Sequence, residues 1–165
     1  MEVRPDYAGS NLWTLDLTKA DFPEMPLAGS LRREAFELGR ATLSGSNLTL
    51  RVGRNGPVEL GLNIYFFNRQ AEELSGKSAE VKPTDTTAPR VVLHWKDTQR
   101  RSETFHHGYA MKVEFGPAAN GDIPGKLFIS LPDESKSWIA GSFNAEIRKP
   151  GPPKPKPPAP ARPTQ

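Results

Sequence analysis

One segment near the C-terminal end constrains the fold more than any other part of the chain. Residues 125–147 read GKLFISLPDESKSWIAGSFNAEI, an apolar β-forming stretch, a polar turn and a second stretch that is rich in apolar residues. Two such stretches around a turn predict an antiparallel hairpin. The next 16 residues, 150–165, include 8 prolines. Such a segment cannot join a core, so the sequence predicts that a β-domain ends near residue 149.

The rest of the chain repeats the same pattern of short alternating stretches and turn residues. Strands are predicted at Leu12–Leu17, Ala41–Leu43, Leu48–Val52, Val58–Phe67, Val91–Trp95 and Thr104–Phe115. Residues 30–38 fit either one or two helical turns or an irregular edge strand, and residues 68–88 fit a loop with a short helix near Ala71–Leu74. About eight strands with little helix predict an all-β fold, an antiparallel β-sandwich or a jelly-roll-like barrel.

Three segments follow from this pattern. Residues 1–11 are predicted as an irregular lead-in, residues 12–149 as the β-sandwich domain, and residues 150–165 as a basic Pro-rich tail. A tail of this composition is typical of a semi-rigid tether, and a ligand for a proline-recognising groove is the alternative.

Charge and composition exclude several classes of function. The chain has no cysteine, which excludes disulfides, thiol catalysis and thiolate metal sites. The net charge of +3 equals the charge of Lys154, Lys156 and Arg162 in the tail, so the body carries 19 cations and 19 acids. Nucleic-acid binding needs clustered positive charge, and this balance predicts none on the domain.

The chain also lacks the signals of membrane insertion. No run of about 18 apolar residues occurs, so no transmembrane helix is predicted. Residues 1–6 lack the apolar centre of a signal peptide. Two settings remain open at this point: a cytoplasmic protein, or a protein whose targeting segment is not part of this chain.

No catalytic or metal-binding motif stands out, and we predict no cofactor and no metal. The imidazoles of His94, His106 and His107 could in principle join an acid such as Asp97 or Glu103. Their spacing matches no specific ligand or catalytic pattern. A hydrolase that uses loop carboxylates and a histidine therefore stays an alternative rather than the main prediction.

Tryptophan supplies the positive indication of binding. Trp95 and Trp138 lie in or beside predicted strands and next to polar residues, and an exposed indole can stack on a sugar. Burial in the core or at its rim is the alternative for both, and alternation requires either Trp138 or Ile139 to face outward. The candidate ligand-binding residues are Trp95, Trp138, Lys96, Asp97, Arg100 and Glu103, the polar ones as hydrogen-bonding partners.

The hairpin of residues 125–147, together with Gly108–Phe115 and residues 93–96, resembles uncharacterised β-sandwich-type proteins of planctomycete-like bacteria. The resemblance covers residues 25–148. It implies a β-sandwich and a bacterial envelope-associated or secreted setting, and it implies no activity and no site residue.

Together these observations predict a non-catalytic binding or interaction module. Its expected partner is a polysaccharide or another protein, and no nucleic acid. Besides the hydrolase, a structural domain that assembles through an edge strand is the second alternative.

Overall fold

The structure, a computed structural model, describes residues 12–18 and 20–148 and is all-β. Over that range it contains one 3₁₀ helix, Ala71–Leu74, and no α-helix. The strands are β1 (Ala28–Leu31), β2 (Glu34–Glu37), β3 (Arg40–Ser44), β4 (Asn47–Arg51), β5 (Gly61–Tyr65), β6 (Ser78–Val81), β7 (Arg90–Lys96), β8 (Arg100–Phe105), β9 (Ala110–Phe115), β10 (Asp122–Ser130) and β11 (Trp138–Ile147). The predicted all-β class is confirmed. The predicted lead-in and Pro-rich tail lie outside the described residues.

All the strands hydrogen-bond into one curled, open sheet. Its order is β6-β9-β10-β11-β3-β4-β5-β7-β8, and the β1–β2 hairpin attaches through β11. Strand β11 pairs with β10 along most of its length, and Glu146 and Ile147 near its end pair in parallel with β3. We call β6, β9, β10 and β11 the first arm, and β3, β4, β5, β7 and β8 the second arm.

Each arm turns one face towards a shared main core. Leu43, Leu62 and Leu93 of the second arm are 0% exposed, as are Met111 and Leu127 of the first arm. They lie on one face because successive side chains of a strand point to opposite sides of the sheet. Burial of each such side chain contributes roughly 1.5–3 kcal/mol to stability, so this core is the main source of the domain's stability.

A second, smaller apolar cluster lies on the opposite, outward face of the first arm. Phe128, Trp138 and Ala140 form its floor, and an N-terminal strap, residues 12–18 and 20–25, covers them. Leu17 is the most deeply placed residue of the strap at 3% exposure, and Trp13 donates from Nε1 to the Leu131 carbonyl at 2.7 Å. The strap forms no strand, so the predicted strand at Leu12–Leu17 is wrong, although its apolar side chains do pack against the sheet.

Several predicted elements differ from the structure in their limits. Residues 30–38 belong to the β1–β2 hairpin, and the predicted strand at Val58–Phe67 is limited to β5. The predicted strand at Thr104–Phe115 is divided by a turn at residues 106–108, where Gly108 has a φ of 88° that other residues rarely adopt. The edge strand β6 is short and largely exposed, and Val81 is its only buried residue, so its pattern does not mark it as a strand. The terminal hairpin and the short helix at Ala71–Leu74 are confirmed.

Candidate functional site

The outward face of the second arm presents polar side chains instead of an apolar cluster. We call it the polar face. Its neutral polar members are Thr42, Ser44, Asn47, Thr49, Asn63, Tyr65, His94, Ser102 and Thr104, with Val92 among them. They alternate with the inward leucines, isoleucine and valine of the same strands, and this places them together on the outward side.

The centre of the polar face is a hydrogen-bonded network around Asn63. This side chain is 8% exposed, one of three buried polar residues in the described chain. Its Nδ2 donates to Asn47 Oδ1 at 2.8 Å and to Thr49 Oγ1 at 2.7 Å, and its Oδ1 lies 2.7 Å from His94 Nε2. A buried amide is costly unless it is paired, and here each end of the amide has partners.

Strand register explains why these residues meet. Thr49 lies directly opposite Asn63, and Asn63 lies opposite Val92. The same row of directly opposed residues extends across the sheet to Thr42 on β3 and to Thr104 on β8. Directly opposed side chains in a sheet have Cβ atoms about 5 Å apart, so this row places four polar side chains close together, with the apolar Val92 between Asn63 and Thr104.

The network also determines the proton position on His94. Because Asn63 Nδ2 faces Asn47 and Thr49, its Oδ1 can only accept from His94, so Nε2 carries the proton. Burial lowers the pKa of His94, which favours the neutral imidazole. The neutral ring then has Nδ1 as a hydrogen-bond acceptor.

The polar face is rimmed by cations. Arg40, Arg51, Arg90, Lys96 and Arg100 occupy outward positions of its strands, and no acid occupies an outward position of these strands. Two acids from outside these strands reach it: Glu146 binds Arg40 at 2.8 Å and Glu59 binds Lys96 at 3.1 Å.

An exposed aromatic ring lies at one end of this face. Phe67 follows the end of β5 by two residues and is 71% exposed, the most exposed large apolar side chain in the described chain. Within β5, the ring of Tyr65 carries the Arg90 guanidinium 4.2 Å from its centroid. Phe67 is thus available for stacking, whereas one side of the Tyr65 ring is occupied.

The structure divides the residues predicted from sequence between the two faces of the sheet. Lys96 is paired with Arg100 in register, and both point to the polar face. Trp95 and Glu103 point to the other side, where Trp95 packs against the main core with Arg32 4.2 Å above its ring. Asp97 lies in the β7–β8 turn, where it accepts from the Gln99 backbone N–H and from Arg101, and these bonds lower its pKa.

Trp138 is not available to a ligand. It does point away from the main core, as alternation with Ile139 requires, but the strap leaves it only 2% exposed. The prediction that Trp138 stacks on a sugar is therefore wrong for this structure, because its ring forms the floor of the second apolar cluster.

The three histidines do not converge. His106 and His107 lie in the turn after β8, whereas His94 is opposite Ser102 in the middle of that strand. Four residues of strand separate Ser102 from His106, or about 13 Å at about 3.3 Å per residue. In residues 12–18 and 20–148, no group of three or more His, Asp or Glu side chains could hold a metal ion.

A surface hollow of about 460 Å³ lies elsewhere, on the first arm. Three glycines, Gly76, Gly116 and Gly125, contribute to its wall, together with Lys77 and Lys126. None of the residues predicted from sequence lines it.

Four residues of this site, Asn47, Thr49, Asn63 and Phe67, are not among those predicted from the sequence. Alternation with Leu48, Leu50 and Leu62 does place the polar residues on the outward side. The sequence does not show the strand register, and it is the register that brings these residues together in one network.

Comparisons of the chain with protein-family models, curated proteins and solved structures gave no significant match. In the part of the chain that the structure describes, no helix is long and apolar enough to cross a membrane.

Proposed function

We propose that this domain is a non-catalytic binding module that binds a polysaccharide on its polar face. The observation that carries this proposal is the Asn63 network: a buried amide, held by three side chains, on a face that points away from the core. Sugars present many hydroxyl groups, each a donor and an acceptor. A surface of preordered amide, hydroxyl and imidazole groups suits them because few side chains have to be ordered on binding.

Phe67 supports the same proposal from a different direction. Carbohydrate binding combines hydrogen bonds with stacking of an aromatic ring on the apolar face of a sugar. Phe67 supplies an exposed ring at the Tyr65 end of the face, in the stacking role that the sequence predicts for tryptophan.

The geometry favours binding over the two alternatives. The partner of His94 is an amide and not a carboxylate. A carboxylate partner raises the basicity of a catalytic imidazole, and an amide does not. The edge strand β8 carries Arg100, Arg101 and Glu103, and charged edges disfavour strand addition by a second molecule.

Two further parts of the proposal concern architecture and setting. We infer that the two arms stack as the layers of a β-sandwich of jelly-roll type, since both contribute to one core. The resemblance to planctomycete-like β-sandwich-type proteins supports an envelope-associated or secreted setting, which cell fractionation tests.

Calorimetric titration of the full chain with a panel of soluble polysaccharides tests the function. We expect Phe67→Ala and Asn63→Leu each to weaken binding at least about tenfold, which is about 1.4 kcal/mol. Ser142→Ala, an exposed position on the outward face of the first arm, is the control and should bind as the wild type does.

Phe67 is a surface residue, so Phe67→Ala remains informative if Asn63→Leu fails to fold. Absence of binding to every polysaccharide would contradict the proposal. So would equal binding by wild type, Phe67→Ala and Ser142→Ala.

A further inference from the structure

The neutral body of this chain is divided into two faces of opposite charge. The polar face has five cations and no acid at its outward strand positions. The outward positions of the first arm include four acids against two cations: Glu80, Glu114, Asp122 and Glu146, with Lys112 and Lys126. These positions carry +5 on the polar face and −2 on the first arm, and the even charge balance of the sequence conceals the difference. The prediction that the domain has no clustered positive charge is therefore wrong.

Much of the positive charge on the polar face is not neutralised. Within residues 12–18 and 20–148, Arg40 and Lys96 have acidic partners within 4.0 Å, while Arg51, Arg90 and Arg100 have none. The guanidinium of Arg51 donates to backbone carbonyls of the 53–57 loop, and that of Arg90 lies over Tyr65. Neither contact removes the charge.

The cations flank the neutral network at both ends. Arg90 begins β7 and Lys96 ends it, with Arg100 directly opposite Lys96. Six strand residues at about 3.3 Å each separate the two ends by about 20 Å. His94 and the Asn63 network lie between them. Positive charges therefore lie at both ends of β7, and groups that can hydrogen-bond to hydroxyls lie in the middle.

This arrangement fits an extended chain of anionic sugars better than a nucleic acid. Proteins that bind single strands stack successive bases on several aromatic rings. In the described residues Phe67 is the only exposed ring of phenylalanine or tryptophan, and Arg90 covers one side of Tyr65. The neutral centre of the face is instead built from hydroxyl, amide and imidazole groups.

We propose, on the basis of the function proposed above, that the ligand is an anionic polysaccharide. Its carboxylate or sulfate groups bind Arg90 at one end of the face and Arg100 and Lys96 at the other. Its hydroxyl groups bind the Asn63–His94 network between them. Guanidinium groups bind carboxylates and sulfates through paired hydrogen bonds, which makes arginine the suitable cation at these two positions.

The experiment compares pairs of polymers that share a sugar backbone and differ in charge. The full chain is titrated with polygalacturonate and with its methyl ester, and with dextran sulfate and dextran, at low and moderate salt. A single-stranded oligothymidylate of similar charge serves as the nucleic-acid probe. We expect binding to the charged member of at least one pair to be at least about tenfold tighter, and to weaken with salt because exposed charges are screened.

Two double variants remove equal charge from opposite sides of the domain. Arg90→Gln/Arg100→Gln should weaken binding of the anionic polymer at least tenfold. Lys77→Gln/Lys126→Gln, both exposed and lining the hollow at the first arm, should change it less than twofold. Thermal melts of both variants establish that they fold.

The outcomes separate the two proposals. If the protein binds charged and neutral polymers equally well and loses this binding in Phe67→Ala, the proposal of an anionic ligand is overturned. The proposed binding function is then retained. No affinity for any polysaccharide would overturn both. Equal weakening by the two double variants would indicate non-specific attraction and overturn the assigned face, and tighter binding of oligothymidylate would overturn the choice of polysaccharide over nucleic acid.

Discussion

His94 and Asn63 are joined by a 2.7 Å contact between Nε2 and Oδ1, across two neighbouring strands and on the side of the sheet away from the core. The amide is turned by its two other partners, Asn47 and Thr49, so that the imidazole must be the donor. This contact therefore links the protonation of His94 to the orientation of the Asn63 amide.

The first prediction concerns pH. Because burial lowers the pKa of His94, the unfolded chain binds a proton at a higher pH than the folded one does. The contribution of neutral His94 to the free energy of unfolding is therefore complete above the unfolded pKa of about 6.5. It should fall as the pH decreases from there towards the folded pKa. Urea unfolding between pH 5 and pH 8 measures this. The decline should be smaller in His94→Gln.

His106→Gln is the matched control, because His106 is exposed in a turn. It should keep the pH profile of the wild type. Identical profiles for His94→Gln and His106→Gln would show that His94 does not contribute to the pH dependence.

The second prediction separates the network from the row of directly opposed residues in which it lies. Thr49 and Thr42 face each other on β4 and β3, but only Thr49 accepts from Asn63. Replacing the hydroxyl by a methyl group in Thr49→Val should cost about 1 kcal/mol, since one bond of a buried amide is lost. Thr42→Val should change stability by less than about 0.5 kcal/mol. Chemical denaturation of both variants checks this, and equal effects would contradict the special role of Thr49.

Local pattern predicted the parts of this fold that depend on neighbours in sequence. The hairpins β3–β4 and β10–β11 combine alternation with turn residues, and both occur where the sequence placed them. The link between the arms could not be predicted in this way. It depends on a short parallel pairing of β11 with β3 between residues about a hundred positions apart, and neither strand carries a local mark of it.

The candidate site was predicted less well, for a related reason. Alternation correctly placed Trp138 on the side away from Ile139, but it cannot show that the strap covers that side. Lys96 and Arg100 do lie on the polar face, while Trp95 and Glu103 lie on the other, because odd and even positions of one strand separate. A contiguous sequence window therefore mixes the two faces of the sheet.

The third prediction concerns close packing in the first arm. A Cβ at Gly125 would lie 2.4 Å from Cζ of Phe143, its direct partner on β11, and that ring also contacts Phe115 edge to face. Gly125→Ala should therefore cost about 1–3 kcal/mol through overpacking. In the double variant with Phe143→Leu, the added methyl group has no ring to displace. The stability losses of the single variants Gly125→Ala and Phe143→Leu should then sum to more than the loss in the double variant. A double-mutant cycle measures this difference. Additive costs would place the strain elsewhere.

The last prediction concerns the strap over Trp138. Leu17 is 3% exposed and packs with Phe128 and Trp138, so Leu17→Ala should cost about 2–5 kcal/mol if the strap unfolds together with the domain. In a Trp13→Phe/Trp95→Phe background, Trp138 is the one remaining tryptophan and reports on its own cover. Its emission should then be blue-shifted and resistant to acrylamide, and Leu17→Ala should shift it to the red and make it quenchable. Leu12→Ala, at a partly buried strap position, should have a smaller effect. A quenchable Trp138 in a background protein that keeps the melting temperature of the wild type would show that the strap does not cover this ring in solution.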